Sequence, residues 1–180
     1  MTGALFAVVG PSGAGKDTLM GAAAARLPTV RLVRRVITRP SAAGGEDFDG
    51  VSVAEFEHRR DAGDFVLHWR AHGLYYGIPR QIEQDLAEGY TVLFNGSRAI
   101  MPAAQRRFPD LTVLHVTAPV PVLAERLAAR GRESAGDIAA RLTRAGYDLP
   151  PGLNVKTICN DSDLEGAVDA FVAALQPVSV

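Results

Sequence analysis

The segment Gly10-Pro11-Ser12-Gly13-Ala14-Gly15-Lys16-Asp17-Thr18 constrains this chain more than any other stretch. It matches the pattern G-x-x-x-x-G-K. Before it runs Ala4-Leu5-Phe6-Ala7-Val8-Val9, which reads as a strand buried on both faces of a parallel sheet, and after it residues 17–27 are rich in Ala and Leu and stop at Pro28. Strand, glycine-rich turn and helix in that order bring successive backbone N–H groups onto phosphate oxygens at the positive end of a helix dipole. The pattern therefore implies a loop that cradles the triphosphate of ATP, with Lys16 reaching the β and γ phosphates. It says nothing of the acceptor.

One position departs from the pattern. A Ser or Thr usually follows the lysine and offers its hydroxyl to magnesium; here Asp17 stands there, and Thr18 comes next. Both are candidate metal-holding residues, Asp17 directly or through water, as suits a hard cation. The plainer reading of Asp17 is an acid placed in the first turn of a helix, where the dipole favours it.

Downstream, helical and strand signals alternate. Residues 30–38 are β-branched and read as one strand. Ser52-Val53-Ala54-Glu55 has capping-box spacing, with Gly63 as a stop. Residues 65–69 and 74–77 read as strands around a turn at Gly73, and Pro79 can occupy the first turn of a helix ending near Gly89. Residues 90–94, 111–116 and 155–159 read as further strands. Residues 97–107, 120–130 and 137–145 read as helices, and Ser162-Asp163-Leu164-Glu165 is a second capping box opening a helix to about Leu175. The small and charged stretch 131–136 suits a mobile flap. The sum is a three-layer α/β fold with a mainly parallel sheet, expected as one domain over 1–180.

Composition narrows the function. The chain has 19 basic and 20 acidic residues and a formal charge of −1, so no overall basic field favours nucleic acid or an anionic membrane. Seventeen of the basic residues are Arg, which makes any single arginine a weak signal without positional support. Cys159 is the only cysteine and is expected in the core; it can form neither an internal disulfide nor a cysteine-based metal cluster, which suits a reducing compartment. The apolar opening is too short to span a membrane and lacks a basic leader, so a cytoplasmic protein is expected. A homodimer is compatible with the sequence and not required by it. His68, His72 and His115 lack metal-ligand spacing and read as packing or surface residues.

Ile37-Thr38-Arg39-Pro40, Gly45-Glu46, Tyr75-Tyr76-Gly77, Arg130-Gly131, Arg141-Leu142 and Asn160-Asp161 together resemble a guanylate-kinase-type protein over almost the whole chain. The resemblance implies an acceptor-binding insertion at about 34–90 and a lid at about 130–145. It implies that Arg39 and Tyr76 contact the acceptor's phosphate, that Arg130 and Arg141 neutralise the transferring phosphoryl group, and that Asn160 lies near the adenine. These roles suit phosphoryl transfer, which depends on positioning and charge stabilisation, and Arg binds phosphate oxygens in pairs. Arg126, Arg132 and Arg144 read as surface charges.

The departures from that pattern concern the acceptor. A second arginine expected soon after Arg39 is replaced by Ser41-Ala42-Ala43, and a tyrosine after Gly-Glu by Val51-Ser52-Val53. Leu67 stands where guanylate kinases carry a base-reading glutamate, with His68 adjacent if the alignment slips, and Ile78 replaces a hydroxyl residue. Apolar residues there remove the hydrogen bonds that discriminate a base edge, which argues against guanine. Gly-Lys-Asp-Thr, Ile-Thr-Arg-Pro, Gly-Gly-Glu, Leu-Tyr-Tyr-Gly and Phe-Asn-Gly-Ser-Arg are similar to the ribose 1,5-bisphosphate phosphokinases of bacterial phosphonate breakdown, which use ATP and an acceptor with two phosphates and no base. That similarity makes Asn95, Ser97 and Arg98 candidate acceptor contacts. Glu46 orients an arginine, binds a sugar hydroxyl or stabilises a turn. The competing readings are a nucleoside-monophosphate kinase, a kinase acting on a sugar hydroxyl through Asp47 or Asp49, and a catalytically silent binding module.

Overall fold

The computed structural model describes residues 3–131, 133–161 and 163–176. Its first strand, β1 (Ala4–Val9), is buried over five of its six residues and lies at the centre of a five-stranded sheet. The neighbours are β7 (Thr91–Asn95) and β8 (Thr112–Thr117), with β2 (Val30–Leu32) and β9 (Val155–Cys159) at the edges. Every pairing in this sheet is parallel, with Ala7 opposite Phe94 and Val113.

Burial on both faces follows from the two-residue period of β1. Phe6 and Val8 pack with Leu19, Met20, Leu114, Val168 and Phe171 beneath α1 (Lys16–Arg26) and α7 (Leu164–Ala174). Leu5, Ala7 and Val9 face the other way, toward Ile82 of α3 (Gln81–Ala87) and Met101 and Ala104 of α4 (Met101–Arg107). Each fully buried Phe or Leu in these layers contributes roughly 2 kcal/mol. The outcome is the expected three-layer α/β fold.

A second sheet carries strands in the order β4-β3-β6-β5: β4 (Asp49–Gly50), β3 (Val36–Ile37), β6 (Leu74–Pro79) and β5 (Phe65–Ala71). The run expected as one strand over 30–38 is thus divided between two sheets. β2 pairs with β7, whereas β3 pairs with β4 and β6. Burial periodicity reads the same on either side of such a crossing, so it cannot reveal one. The small sheet packs Val36 and Phe65 on Phe56 of α2 (Val53–Asp61), whose start is capped by Ser52 Oγ accepting from Glu55 N at 3.1 Å, as the capping box predicts.

Other boundaries moved for local reasons. Pro79 ends β6 and does not open a helix. α5 is Val120–Ala128 and α6 is Ala135–Ala145, which starts two residues ahead of the predicted 137 and is capped by Ser134 accepting from Asp137 N. α7 is capped by Asp163, accepting from Gly166 N. Ser162 and Arg132 lie outside the described residues, as does the side chain of Arg144. Cys159 is exposed rather than core, because β9 is an edge strand. No helix among the described residues is long and apolar enough to cross a membrane.

Candidate active site

The carboxyl ends of β1, β7, β8 and β9 converge on one edge of the large sheet, where open α/β sheets bind ligands. The strand ends are tied together by Gly96 N donating to Val8 O and Asn160 N to Thr117 O. Between β1 and α1 the 10–16 loop is pressed from both sides. A Cβ on Gly10 would fall 2.2 Å from the Val116 carbonyl oxygen, and one on Gly15, at φ 88°, 2.4 Å from Asn160 Nδ2. The fold therefore demands glycine at both positions.

Lys16 folds back over this loop, its Nζ donating to the carbonyls of Gly10 at 2.8 Å and Pro11 at 3.4 Å. Burial holds its pKa below the usual lysine value; Asp17 opposes that shift, Arg35 adds to it and Glu46 opposes it. The loop carbonyls are in turn held by distant side chains. Asn160, nearly fully buried, donates Nδ2 to Ala14 O at 2.8 Å. Arg126 of α5 donates to Gly13 O at 3.1 Å, to Asn160 O at 3.0 Å and to Asp161 O. Arg126 is thus a clamp joining α5, the loop and the end of β9, and not the surface charge its sequence setting suggests.

Two clefts open on either side of the first turn of α1. One, of about 240 Å³, is lined by Gly13, Gly15, Thr18, Arg126, Arg130 and Asn160. The other, of about 300 Å³, faces the small sheet and is lined by Asp17, Arg34, Glu46, Asp47 and Asn95 among others. Adjacent helical residues point in different directions, so Asp17 and Thr18 fall in different clefts. Asn95 Nδ2 donates to Asp17 Oδ1 at 3.3 Å, which links the ends of β7 and α1. A larger cleft, of about 430 Å³, lies behind the small sheet at Arg34, Asp49, Arg59 and Pro79. Arg59 there is bonded to Glu55 and Asp49, and none of the loop's residues reaches it.

The remaining candidates divide. Arg39 donates Nη2 to Gly44 O at 3.0 Å and lies 4.4 Å from the centre of the Phe48 ring, while its Nε is buried without a partner among the described residues. A buried, unmet donor on a half-buried cation fits an anionic ligand. Tyr76 stacks on Trp69, ring centres 5.4 Å apart and 8° from parallel. Glu46 is paired with Arg35, its carboxylate accepting from the guanidinium. Arg141 is bound to Glu133 at 2.9 and 3.1 Å on exposed surface, and it is not among the residues lining the cleft with Arg130. Ser97 stands before a single 3-10 turn, Arg98–Ile100, with Arg98 lying 4.3 Å from the centre of the Tyr147 ring.

Tyr147 escaped the sequence reading. It follows α6, its hydroxyl is hydrogen-bonded to the Gly10 backbone, and His115 of β8 lies 5.3 Å from its ring. Burial raises the Tyr147 pKa and lowers that of His115. Leu67 and Ile78 sit opposite each other across β5 and β6 and are both buried in the core with Val92 and Phe94. His68 is exposed on the other face of β5, so a slip of one residue would not bring it to the same place.

A glycine-rich loop between a central parallel strand and a helix, with an arginine-lined cleft on one side and a charge-paired cleft on the other, is the arrangement of a P-loop fold. The crystal structure of a guanylate kinase from Anaplasma phagocytophilum shares this fold at a TM-score of 0.71 and 18% identity, over 97% of this chain and 85% of that one. No protein-family model matches the chain. It is 51% identical over 177 residues to the ribose 1,5-bisphosphate phosphokinase PhnN of Ruegeria sp. strain TM1040, covering 98% of this chain and 91% of that protein. It is also 47% identical to the bifunctional ribose 1,5-bisphosphokinase-thymidine phosphorylase of Cupriavidus necator, of which it spans 29% of the length, against 26% for the corresponding protein of Azorhizobium caulinodans. The chain belongs to the ribose 1,5-bisphosphate phosphokinase family.

Proposed function

We propose that this chain transfers the γ-phosphoryl group of ATP to ribose 1,5-bisphosphate, giving 5-phosphoribosyl 1-diphosphate and ADP. The observation that carries the reading is the pair of clefts flanking the first turn of α1, one on the Thr18 side and one on the Asp17 side, in a chain of this family. Donor and acceptor then meet at Lys16.

In the donor cleft, backbone N–H groups of residues 10–18 receive the phosphate oxygens, Lys16 swings from the Gly10 and Pro11 carbonyls to the β and γ phosphates, and the Asn160 segment borders the adenine. Arg130 lines this cleft and offsets the charge spread over the transferring group. Arg141 joins it once released from Glu133, an exposed pair that holds it only weakly. Magnesium, when bound, would neutralise phosphate charge; Asp17 or Thr18, which face different clefts, would supply a hard oxygen for it or for its waters. Such an ion takes few protein ligands beside phosphates and water, which a single carboxylate or hydroxyl fits.

In the acceptor cleft, Arg39 and Tyr76 hold the phosphate that attacks, with Asn95, Ser97 and Arg98 bordering the sugar. An ionised oxygen of the 1-phosphate forms a bond to the γ-phosphorus, and the bond to the bridging oxygen breaks as ADP leaves. No general base is needed, because the nucleophile carries no proton. Purified protein with magnesium and ATP, offered ribose 1,5-bisphosphate, GMP, AMP or nothing, tests this by phosphorus NMR. A diphosphate resonance formed only with the sugar bisphosphate is expected; turnover with GMP alone would overturn the reading. A functioning protein of this kind acts on a small acceptor in the cytoplasm, and as monomer or homodimer.

A further inference from the structure

Arg35 lies at the entrance to β3 and is nearly covered, its side chain 9% exposed and that of its partner Glu46 16% exposed. Glu46 takes one edge of the guanidinium: Nε donates to Oε2 at 2.9 Å and Nη2 to Oε1. Nη1 makes no hydrogen bond among the described residues. The guanidinium carbon lies 4.8 Å from the centre of the Tyr76 ring and 6.0 Å from that of Trp69, so the cation rests on the stacked aromatic pair. Arg35 and Glu46 both act electrostatically on Lys16, which puts the pair within reach of the transfer point.

Arg35 immediately precedes the two residues of β3, and Arg39 follows them after Thr38, where the chain bends. Both guanidinium groups lie on the 44–48 segment, yet each is fixed by its own partner: Arg39 by Gly44 O and the Phe48 ring, Arg35 by Glu46. Two separately fixed cations mark two anion positions, and an acceptor with two phosphates has two anions to place. The sequence shows only one of them, since Ser41-Ala42-Ala43 supplies no second arginine.

Resting on the acceptor proposed above, we infer that Arg35 is a specificity-determining contact whose Nη1 edge receives the acceptor phosphate that is not phosphorylated, while Glu46 fixes the fork in place. A guanidinium already locked by a carboxylate loses little freedom on taking a second anion. It rewards a second phosphate and offers nothing comparable to a neutral base.

The test compares wild-type protein with R35A, R35K, E46Q and the double variant R35A/E46A, which leaves no unpaired carboxylate if R35A folds poorly. With ribose 1,5-bisphosphate, R35A and the double variant raise KM on the order of 10- to 100-fold, the loss of a charged hydrogen bond. R35K and E46Q fall between these and wild type. KM for ATP stays unchanged. The inhibition constant of ribose 1-phosphate, which lacks the second phosphate, also stays unchanged. An unaltered KM for the bisphosphate, or an equal rise in both acceptor-site constants, overturns the assignment. Calorimetric titration of ribose 1,5-bisphosphate without donor separates the two readings: binding that depends on Arg35 without turnover sinks the proposed reaction alone, and no binding to wild type sinks both.

Discussion

The two sides of the proposed site, one for the donor and one for the acceptor, are held by different kinds of bond. On the donor side, long side chains reach backbone carbonyls: Arg126 to Gly13, Asn160 to Ala14 and Lys16 to Gly10, while Tyr147 meets the Gly10 backbone. On the acceptor side, side chains meet side chains: Arg35 with Glu46, Arg34 with Asp47 at 3.6 Å, and Tyr76 with Trp69. Backbone is common to every sequence, so a site shaped by carbonyls and amides fits a donor shared by many enzymes. Side-chain pairs can be exchanged without disturbing the large sheet, so the acceptor side is where specificity can change. Damage to the donor side should reduce turnover with any acceptor, and damage to the acceptor side should change which acceptor is used.

The severest test of that contrast is Lys16→Ala. With the ammonium gone, stabilisation of the transferring charge is lost for any acceptor, and kcat should fall about 10³-fold or more, the scale of removing one preorganised electrostatic group. Thermal stability should hardly change, because Lys16 packs against loop carbonyls and not in the core. A kcat loss confined to one acceptor would break the division between the two sides.

Leu67→Glu tests the acceptor side. Leu67 is buried in the core beside Ile78, so an introduced carboxylate has no solvent and no partner there. A loss of roughly 3 kcal/mol or more in denaturant unfolding is expected, and no phosphorylation of GMP should appear. Gain of GMP turnover by this single change would show that base recognition rests on one residue and not on a reshaped cleft.

Asn160→Ala separates a nucleotide contact from a loop-holding role. Its amide satisfies the buried Ala14 carbonyl, so truncation should cost about 1–3 kcal/mol of stability and raise KM for ATP, leaving acceptor KM alone. If only KM for ATP moves, with stability unchanged, Asn160 touches the nucleotide and does not support the loop.

The donor side was more legible in the sequence than the acceptor side, for a physical reason. The loop's chemistry is local: residues 10–18 carry strand end, turn and helix start in one stretch, and Gly10 and Gly15 are required by the backbone they form. Arg126 and Arg35 were not legible. Seventeen arginines dilute the signal of any one, and what distinguishes these two is where the fold delivers their partners, Gly13 and Glu46. Tyr147 is similar, since nothing near it in sequence announces contact with Gly10. The split of residues 30–38 between two sheets also needed the partners β7 and β6 to be known, because both pieces are extended. Leu67 and Ile78 were legible as departures from a resembled pattern, and the structure adds that they are core residues.

The smallest expected effect concerns His115, behind the Tyr147 ring on the donor side. Its Nε2 is buried without a partner among the described residues, and burial lowers its pKa from the ordinary 6.5. The folded state therefore prefers the neutral ring, while the unfolded chain takes up a proton as pH falls through 6.5. In that window the unfolded state binds more protons, so stability is fully present above about pH 6.5 and is lost as pH falls toward the lower folded value. His115→Phe keeps the ring contact with Tyr147 and removes the titration, so its denaturation midpoint should vary less between pH 7.5 and 5 than that of wild type. Because Tyr147 is hydrogen-bonded to the Gly10 backbone, the same acid window should weaken ATP binding in wild type and not in the variant. Equal acid slopes in the two proteins would mean that the proton is taken up elsewhere, and that His115 only fills space behind the loop.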